Sequence, residues 1–210
     1  MTNRIDLTHT FTDDMPVFPG DPRSKLTLSM TVEKDGFRDE ILETGMHVGT
    51  HMDAPMHMLE DSFPVSDIPL DQCSGPGILL DVRGQKEITS EHFDVSKLQT
   101  GGIVLLQTGW SEKLRDGNYM TDYPVLCKDA AHCFVNAGIK MVVFETPSPD
   151  VEPFPIHHIL MSNNVLIVEN ATNFSALESV EHFTIHAYPA KFEASAAPVR
   201  IFAEINEGDS

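Results

Sequence analysis

Four short apolar runs constrain the fold of this chain more than any other feature. GILLDVR lies between Gly77 and Gly84, and GGIVLLQTGW, IKMVVFETPSPD and VLIVEN follow it at intervals. Runs this short that end in glycine, proline or asparagine read as strands, and the first two read as buried ones. Between them the spacing turns helical. Thr89 or Ser90 can cap a short helix over Glu91 to Leu98, Ser111 begins a polar helical segment, Asp129 to Ala137 stops at Gly138, and IHHILMSNN precedes the last run.

Both ends of the chain read differently. Ile5 to Phe11, Lys25 to Glu33 and Phe37 to Val48 alternate as strands, with a hairpin turn expected at Lys34, Asp35 and Gly36. His182 to Phe192 and Val199 to Ile205 alternate in the same way, Asp61 to Pro76 looks irregular, and NEGDS is expected to fray. Strands alternate with helices only in the middle, which predicts an α/β domain with a mixed sheet and terminal β-hairpins, not a simple doubly wound sheet. The 210 residues suit a single domain, 1–210.

Charge narrows the function. The chain has 14 Lys and Arg against 32 Asp and Glu, a formal charge of −18, which repels nucleic acid and anionic membrane surfaces. Cys73, Cys127 and Cys133 form no close pair and read as reduced residues used mainly for core packing. MTNRIDLTHTF holds no basic leader with an apolar core, and no apolar run approaches membrane-spanning length. A soluble, cytoplasmic protein is expected.

The densest chemistry lies in GMHVGTHMDAPMH, residues 45–57, which spaces three histidines and an aspartate as H-x-x-x-H-x-D-x-x-x-H. Gly49 and Pro55 favour a shaped loop at the end of a strand over a long helix. Imidazoles and a carboxylate at such spacings suit a borderline cation, zinc or manganese. A second half of the site is expected in PIHHILMSNNVLIVENATN, where either His157 or His158 could turn towards Glu169, but neighbours on a helix diverge by about 100° and only one can face a given point. Glu145 and Asp150 flank a proline-rich loop after a strand, and either could face a site at the strand ends. Phe18, held between Pro16 and Pro19, is either a core plug or a platform for a flat substrate. Trp110 is either core or pocket wall.

HVGTHMDAPMH resembles the H-x-G-T-H-x-D-x-P-x-H signature of the cyclase family of metal-dependent hydrolases, which includes bacterial kynurenine formamidase and isatin hydrolase. DLTHTFTDDMPVFPGDP, LLQTGW, FETPSPD, HHILMSNNVLIVEN and APVRIFA extend the resemblance along the chain. The resemblance implies a swivelling β/β/α fold. It implies that His47, His51 and Asp53 hold a first ion, that Asp53 and Glu169 bridge to a second held also by His157, and that His57 is the catalytic acid/base. It further implies one or two Zn2+ or Mn2+ ions per subunit, a homo-oligomer (dimer or tetramer), and hydrolysis of a small aryl formamide such as N-formylkynurenine, a step of tryptophan catabolism. Ring opening of isatin, a lactam or a lactone is the neighbouring expectation, and a non-catalytic metal-binding or sensor protein is the expectation from another class. The sequence departs from the pattern at Phe18, where formamidases carry tryptophan, and at Glu145, where the family more often has aspartate.

Overall fold

A computed structural model describes residues 2–206. The first strand, β1 (Thr2–Asp6), ends sooner than the alternation over Ile5 to Phe11 predicts. Leu7 still donates its N–H to the Ile201 carbonyl at 3.0 Å, and Thr8 then bonds to Ile201 through its hydroxyl in place of its backbone. After the proline-rich loop come β2 (Lys25–Met30), a single helical turn α1 (Val32–Asp35) and β3 (Asp39–Glu43). The hairpin forms as expected, but its turn is helical. The Thr31 hydroxyl accepts from the Lys34 N–H, and Gly36, at φ 81°, closes the turn in the left-handed region that glycine tolerates. Both strands are shorter than predicted, and every residue in them is exposed.

The histidine stretch is a strand in its own right at its centre, β4 (His51–Asp53), followed by a 3-10 turn at Pro55–His57. This corrects the expectation of a loop after a strand. Three residues are too few to show an alternation, and the pairing partners of β4 lie far away in sequence. Two further 3-10 turns interrupt the segment expected to be irregular before β5 (Ser74–Asp81) and the short β6 (Glu87–Ile88). The helix expected over Glu91 to Leu98 is instead two 3-10 turns, Ser90–His92 and Val95–Lys97. Thr89 caps the first turn and Asp94 the second, so each cap starts its own turn and no continuous helix forms. After β7 (Ile103–Gln107), the segment expected to be helical from Ser111 is a single 3-10 turn, Trp110–Lys113, which ends at its C-cap Leu114. The remaining elements are β8 (Val125–Leu126), α2 (Lys128–Asn136), β9 (Met141–Phe144), α3 (Pro155–Met161), β10 (Leu166–Glu169), β11 (Thr184–Pro189) and β12 (Ala196–Asn206).

β5, β7, β9 and β10 are parallel neighbours, β4 joins β10 antiparallel, and β11 joins β5 antiparallel. The 11 residues of β12 close the ring, pairing with β4 through 196–198 and with β11 through 199–204. β1 continues along the edge of β12 beyond β4. The result is a mixed α/β fold built on a closed, mixed β-barrel. Its two cores explain the apolar runs. Ile103, Leu105, Met141, Val143, Leu166 and Val168 fill the barrel. Their alternates Val104, Leu106, Val142, Phe144 and Ile167 lie under Phe134 of α2 and Ile156, Leu160 and Met161 of α3. A strand buried on both faces has no polar alternation to show.

Trp110 belongs to a third, small cluster with Tyr119 and Tyr123, and its indole N–H donates to the Tyr119 carbonyl at 3.1 Å, so it is core and not pocket wall. Cys73 is buried, whereas Cys127 and Cys133 are only half-buried. Cys127 precedes α2 as its N-cap, and only Cys133 lies within that helix. The expected frayed tail starts at Asn206, which instead ends β12 opposite Thr2; its remaining residues, 207–210, lie outside the described residues. Among the described residues, no helix is long and apolar enough to cross a membrane.

Candidate metal centre and pocket

Register builds the first half of the site. His51 of β4 stands opposite Glu169 of β10, and Asp53 is two residues further along the same face of β4. The intervening residues Met52 and Val168 point the other way, into the barrel core. His51 Nε2 lies 3.2 Å from Glu169 Oε2 and 3.3 Å from Asp53 Oδ1. His47 reaches in from the preceding loop, with Nδ1 at 2.9 Å from Asp53 Oδ1. That loop bends at Gly49, whose φ of 71° lies in the left-handed region that glycine tolerates and whose Cα packs closely against Phe11 and Met15. The Gly49 carbonyl accepts from His51 Nδ1 at 2.9 Å, which turns Nε2 towards the carboxylates.

α3 supplies the other half. His157 is buried and its Nε2 lies 3.4 Å from Glu169 Oε1 and 3.8 Å from Asp53 Oδ2, while His158 on the next helical position is exposed. His157 Nδ1 donates to Asp150 Oδ1 at 2.6 Å, and Asp150 also accepts from the backbone N–H groups of Ile156 and His157. His57 lies half-buried beside His47, ring centroids 4.2 Å apart, and 5.7 Å from the His157 ring. Ser195 Oγ approaches His47 Nε2 at 3.4 Å.

The cluster converges on a point rather than on itself. His51 Nε2, Asp53 Oδ1 and Asp53 Oδ2 are buried without a hydrogen-bond partner, although imidazole and carboxylate atoms lie close by. Orphaned buried polar atoms are costly, and a cation removes that cost. Ligand atoms held about 2.1 Å from a common ion lie roughly 3.0–3.5 Å from one another, the separation found here. The donor set, imidazole nitrogen with carboxylate oxygen, suits a divalent cation. Two overlapping triads, His47–Asp53–His57 and His51–Asp53–Glu169, have ligand atoms within 4.8 Å of one another and share Asp53. The geometry therefore gives His57 a possible place in a ligand shell as well as beside one.

Burial works against charge on His51, but the Asp53 and Glu169 carboxylates reverse that effect and raise its pKa well above the ordinary value. Burial likewise opposes the charge of Asp53, which His51 and His47 overcome to hold it well below the carboxylate range. His157 follows the pattern of His51: against burial, Asp150 and Glu169 raise it to about 10. His57 is the exception. Burial, helped by the neighbouring His47 and His157 charges, lowers its pKa despite the two carboxylates.

A cavity of about 400 Å³ opens onto this cluster, with Phe18, Met58, Met120, Pro147 and Phe154 as its apolar walls and His47, His57, His157 and Glu169 among its polar ones. Phe18, 38% exposed, lines the cavity and is not a core plug. Glu145 lies away from the cluster. Its carboxylate accepts from Thr108 N–H and Oγ1, Gly109 N–H and Ser111 Oγ, tying the end of β7 to the end of β9. Burial pushes the Glu145 carboxyl up in pKa, against the pull of those donors. The orienting role of Asp150, the approach of Ser195 and the cavity position of Asn170 had no sequence signal beyond proximity to a strand end or a ligand.

The cyclase family model, described as "Putative cyclase", matches residues 5–151. A protein named kynurenine formamidase from Bacillus cytotoxicus is 28% identical over 206 residues, spanning 93% of this chain and 94% of its own length. The kynurenine formamidase of Salinibacter ruber is 26% identical over 205 residues, spanning 94% of this chain and 90% of its own length. Among solved structures, a potential metal-dependent hydrolase with cyclase activity superposes with a TM-score of 0.82 at 26% identity, covering 99% of this chain and 100% of the other. Isatin hydrolase A from Labrenzia aggregata superposes with a TM-score of 0.87 at 22% identity, over 98% and 94% of the two chains, and shares the fold. With most of its length matched by the family and its strands arranged as in these relatives, the chain belongs to the cyclase family of hydrolases.

Proposed function

We propose that this hydrolase cleaves the carbon–nitrogen bond of a small aryl amide, with N-formylkynurenine the leading candidate. The observation that carries the reading is the set of orphaned, buried His51 and Asp53 atoms packed against His47, His157 and Glu169, which line a cavity of about 400 Å³. A cavity of that volume accommodates a single substituted aromatic ring. The kynurenine formamidase name of the relatives supports the substrate class.

His47, His51, Asp53, His157 and Glu169 would hold one or two Zn2+ or Mn2+ ions. When bound, such an ion supplies hydroxide from water near neutral pH and polarises the carbonyl under attack. The chain's own residues do the rest. Asp53 and Glu169 provide the negative charge that imidazoles alone lack. The Gly49 carbonyl and Asp150 fix the His51 and His157 rings so that both Nε2 atoms face inward. His57, at the cavity side of the cluster, takes a proton from the attacking water and returns it to the leaving amine nitrogen. Its lowered pKa keeps it neutral and ready to accept that proton. Phe18, Met58 and Phe154 enclose the aryl group and exclude water from it.

The test is a substrate panel of N-formylkynurenine, isatin and simple lactones, offered to protein loaded with Zn2+ or Mn2+ and to its His57→Ala variant. Formamide turnover that is lost in the variant supports the reading. Preference for isatin or a lactone moves the substrate to a cyclic amide or ester. Stoichiometric ion with no turnover on any member points to the non-catalytic alternative, and full activity in the variant overturns the role of His57.

A further inference from the structure

Apart from the histidines of the cluster, the wall of the cavity carries charge of one sign only. Besides Glu169 at the floor, Asp21 brings a second carboxylate to the lining, and none of the described residues lining the cavity is a lysine or an arginine. Asp21 is exposed, which places its carboxylate at the mouth. Its position is fixed by the backbone. The Asp21 N–H donates to the Phe18 carbonyl at 3.0 Å, Gly20 turns at φ 103°, and Pro19 and Pro22 stiffen both sides. The carboxylate is thus held on the same tight turn as the Phe18 ring, on a protein whose formal charge is −18.

An anionic group on the aryl part of a substrate, pointing away from the cluster, would meet Asp21 with no cation to offset it. An ammonium in the same place would find a partner. Resting on the amide-hydrolase reading, we propose that Asp21 determines specificity by charge: the cavity takes aryl amides whose outer substituent is neutral or cationic, and rejects those whose outer substituent is anionic. A zwitterionic amino-acid tail would enter with its ammonium turned to Asp21. The bond-breaking chemistry is untouched by this residue, so its effect falls on binding.

Exposed ion pairs are worth roughly 0.2–1 kcal/mol, about 1.4- to 5-fold each, so attraction of the cation and repulsion of the anion together give roughly a 2- to 25-fold ratio. Three formanilides of matched size, carrying an aminomethyl, a hydroxymethyl or a carboxylate substituent on the ring, would be compared by calorimetric Kd and by turnover. The expected affinity order is cation, neutral, anion, with the cation-to-anion ratio shrinking at high salt. Asp21→Asn should bring the ratio towards one and Asp21→Glu should restore it. Asp13→Asn, an exposed acid of the same opening segment outside the cavity lining, should keep the wild-type ratio. Equal affinities, a preference for the anion, or an equal loss of ratio in Asp13→Asn would each overturn the assignment. Binding in the expected order without turnover would sink the amide-hydrolase reading and leave the charge selection standing. Turnover without the order would do the reverse.

Discussion

Asp150 grips His157 from behind: Oδ1 takes the Nδ1 proton at 2.6 Å while Oδ2 takes the backbone N–H groups of Ile156 and His157, so ring and helix are oriented by one carboxylate. Replacing it by asparagine keeps the shape and removes the charge. Asp150→Asn should weaken ion retention by about 10- to 100-fold, the usual cost of losing a partner behind a metal-bound imidazole. Competition against a chelator of known affinity measures it, and an unchanged affinity would remove Asp150 from the site.

His57 predicts a pH profile. Its active form as a base is the neutral imidazole, and burial lowers its pKa below the ordinary 6.5. Activity should therefore be sustained down to a pH below 6.5 and fall only as His57 takes its proton, so the acid limb of kcat/KM lies lower than for a free imidazole. A bound cation pushes the same way. In His57→Ala, kcat should drop about 10²- to 10⁴-fold with ion content unchanged. A limb centred above 6.5 would contradict the assignment.

The ion-free protein should show a different dependence. The raised pKa of His157, about 10 against 6.5, contributes stability that is fully present below pH 6.5 and lost as pH rises through 10. The depressed pKa of Asp53 contributes stability that is present above 3.8 and lost as pH falls through its lower folded value. Tm of chelated protein should peak between roughly pH 4 and 6.5. Loading with Zn2+ should release protons in that range, because the imidazoles must give up theirs to bind, and calorimetry in buffers of different ionisation enthalpy reads the number released. Binding without proton release would show that His51 and His157 are already neutral.

Glu145→Ala should act on folding and not on the cluster. It strands the N–H groups of Thr108 and Gly109 and the hydroxyl of Ser111 in the interior. The loss should reach about 3 kcal/mol, lowering Tm by roughly 6–12 °C, with ion stoichiometry retained.

The β2–β3 arm predicts self-association. Leu26, paired with Leu42 across the ribbon, shares a face with Leu28, and all three are nearly half exposed. A two-stranded ribbon is marginal in water unless its apolar face is covered, and a second copy of the same face is the occupant whose chemistry matches. Sedimentation should show an oligomer that Leu28→Lys with Leu42→Lys converts to monomer. A monomeric wild type at high concentration would refute it.

What the sequence made legible follows from where each signal is stored. β7, β9 and β10 were readable because alternate residues feed two cores, leaving unbroken apolar runs. His51 and Asp53 were readable because their spacing is local. β4 was not, because three residues carry no period and its partners, Glu169 and Ala196, are distant in sequence. The helix over Glu91 to Leu98 failed because Thr89 and Asp94 each cap a separate turn, and both cap types look alike in sequence. Asp150 and Asp21 were visible as residues, yet what they face is decided by a helix start and a proline turn, which no spacing rule encodes.

The long last strand has a consequence for the order of synthesis. β12 closes the ring by laying residues 196–198 against β4, and Ser195 comes to His47 from the same segment. A chain still on the ribosome with these residues unmade can hold His47, His51 and Asp53 only on an open edge. The last strand to be made is thus the one that turns this edge into an interior strand.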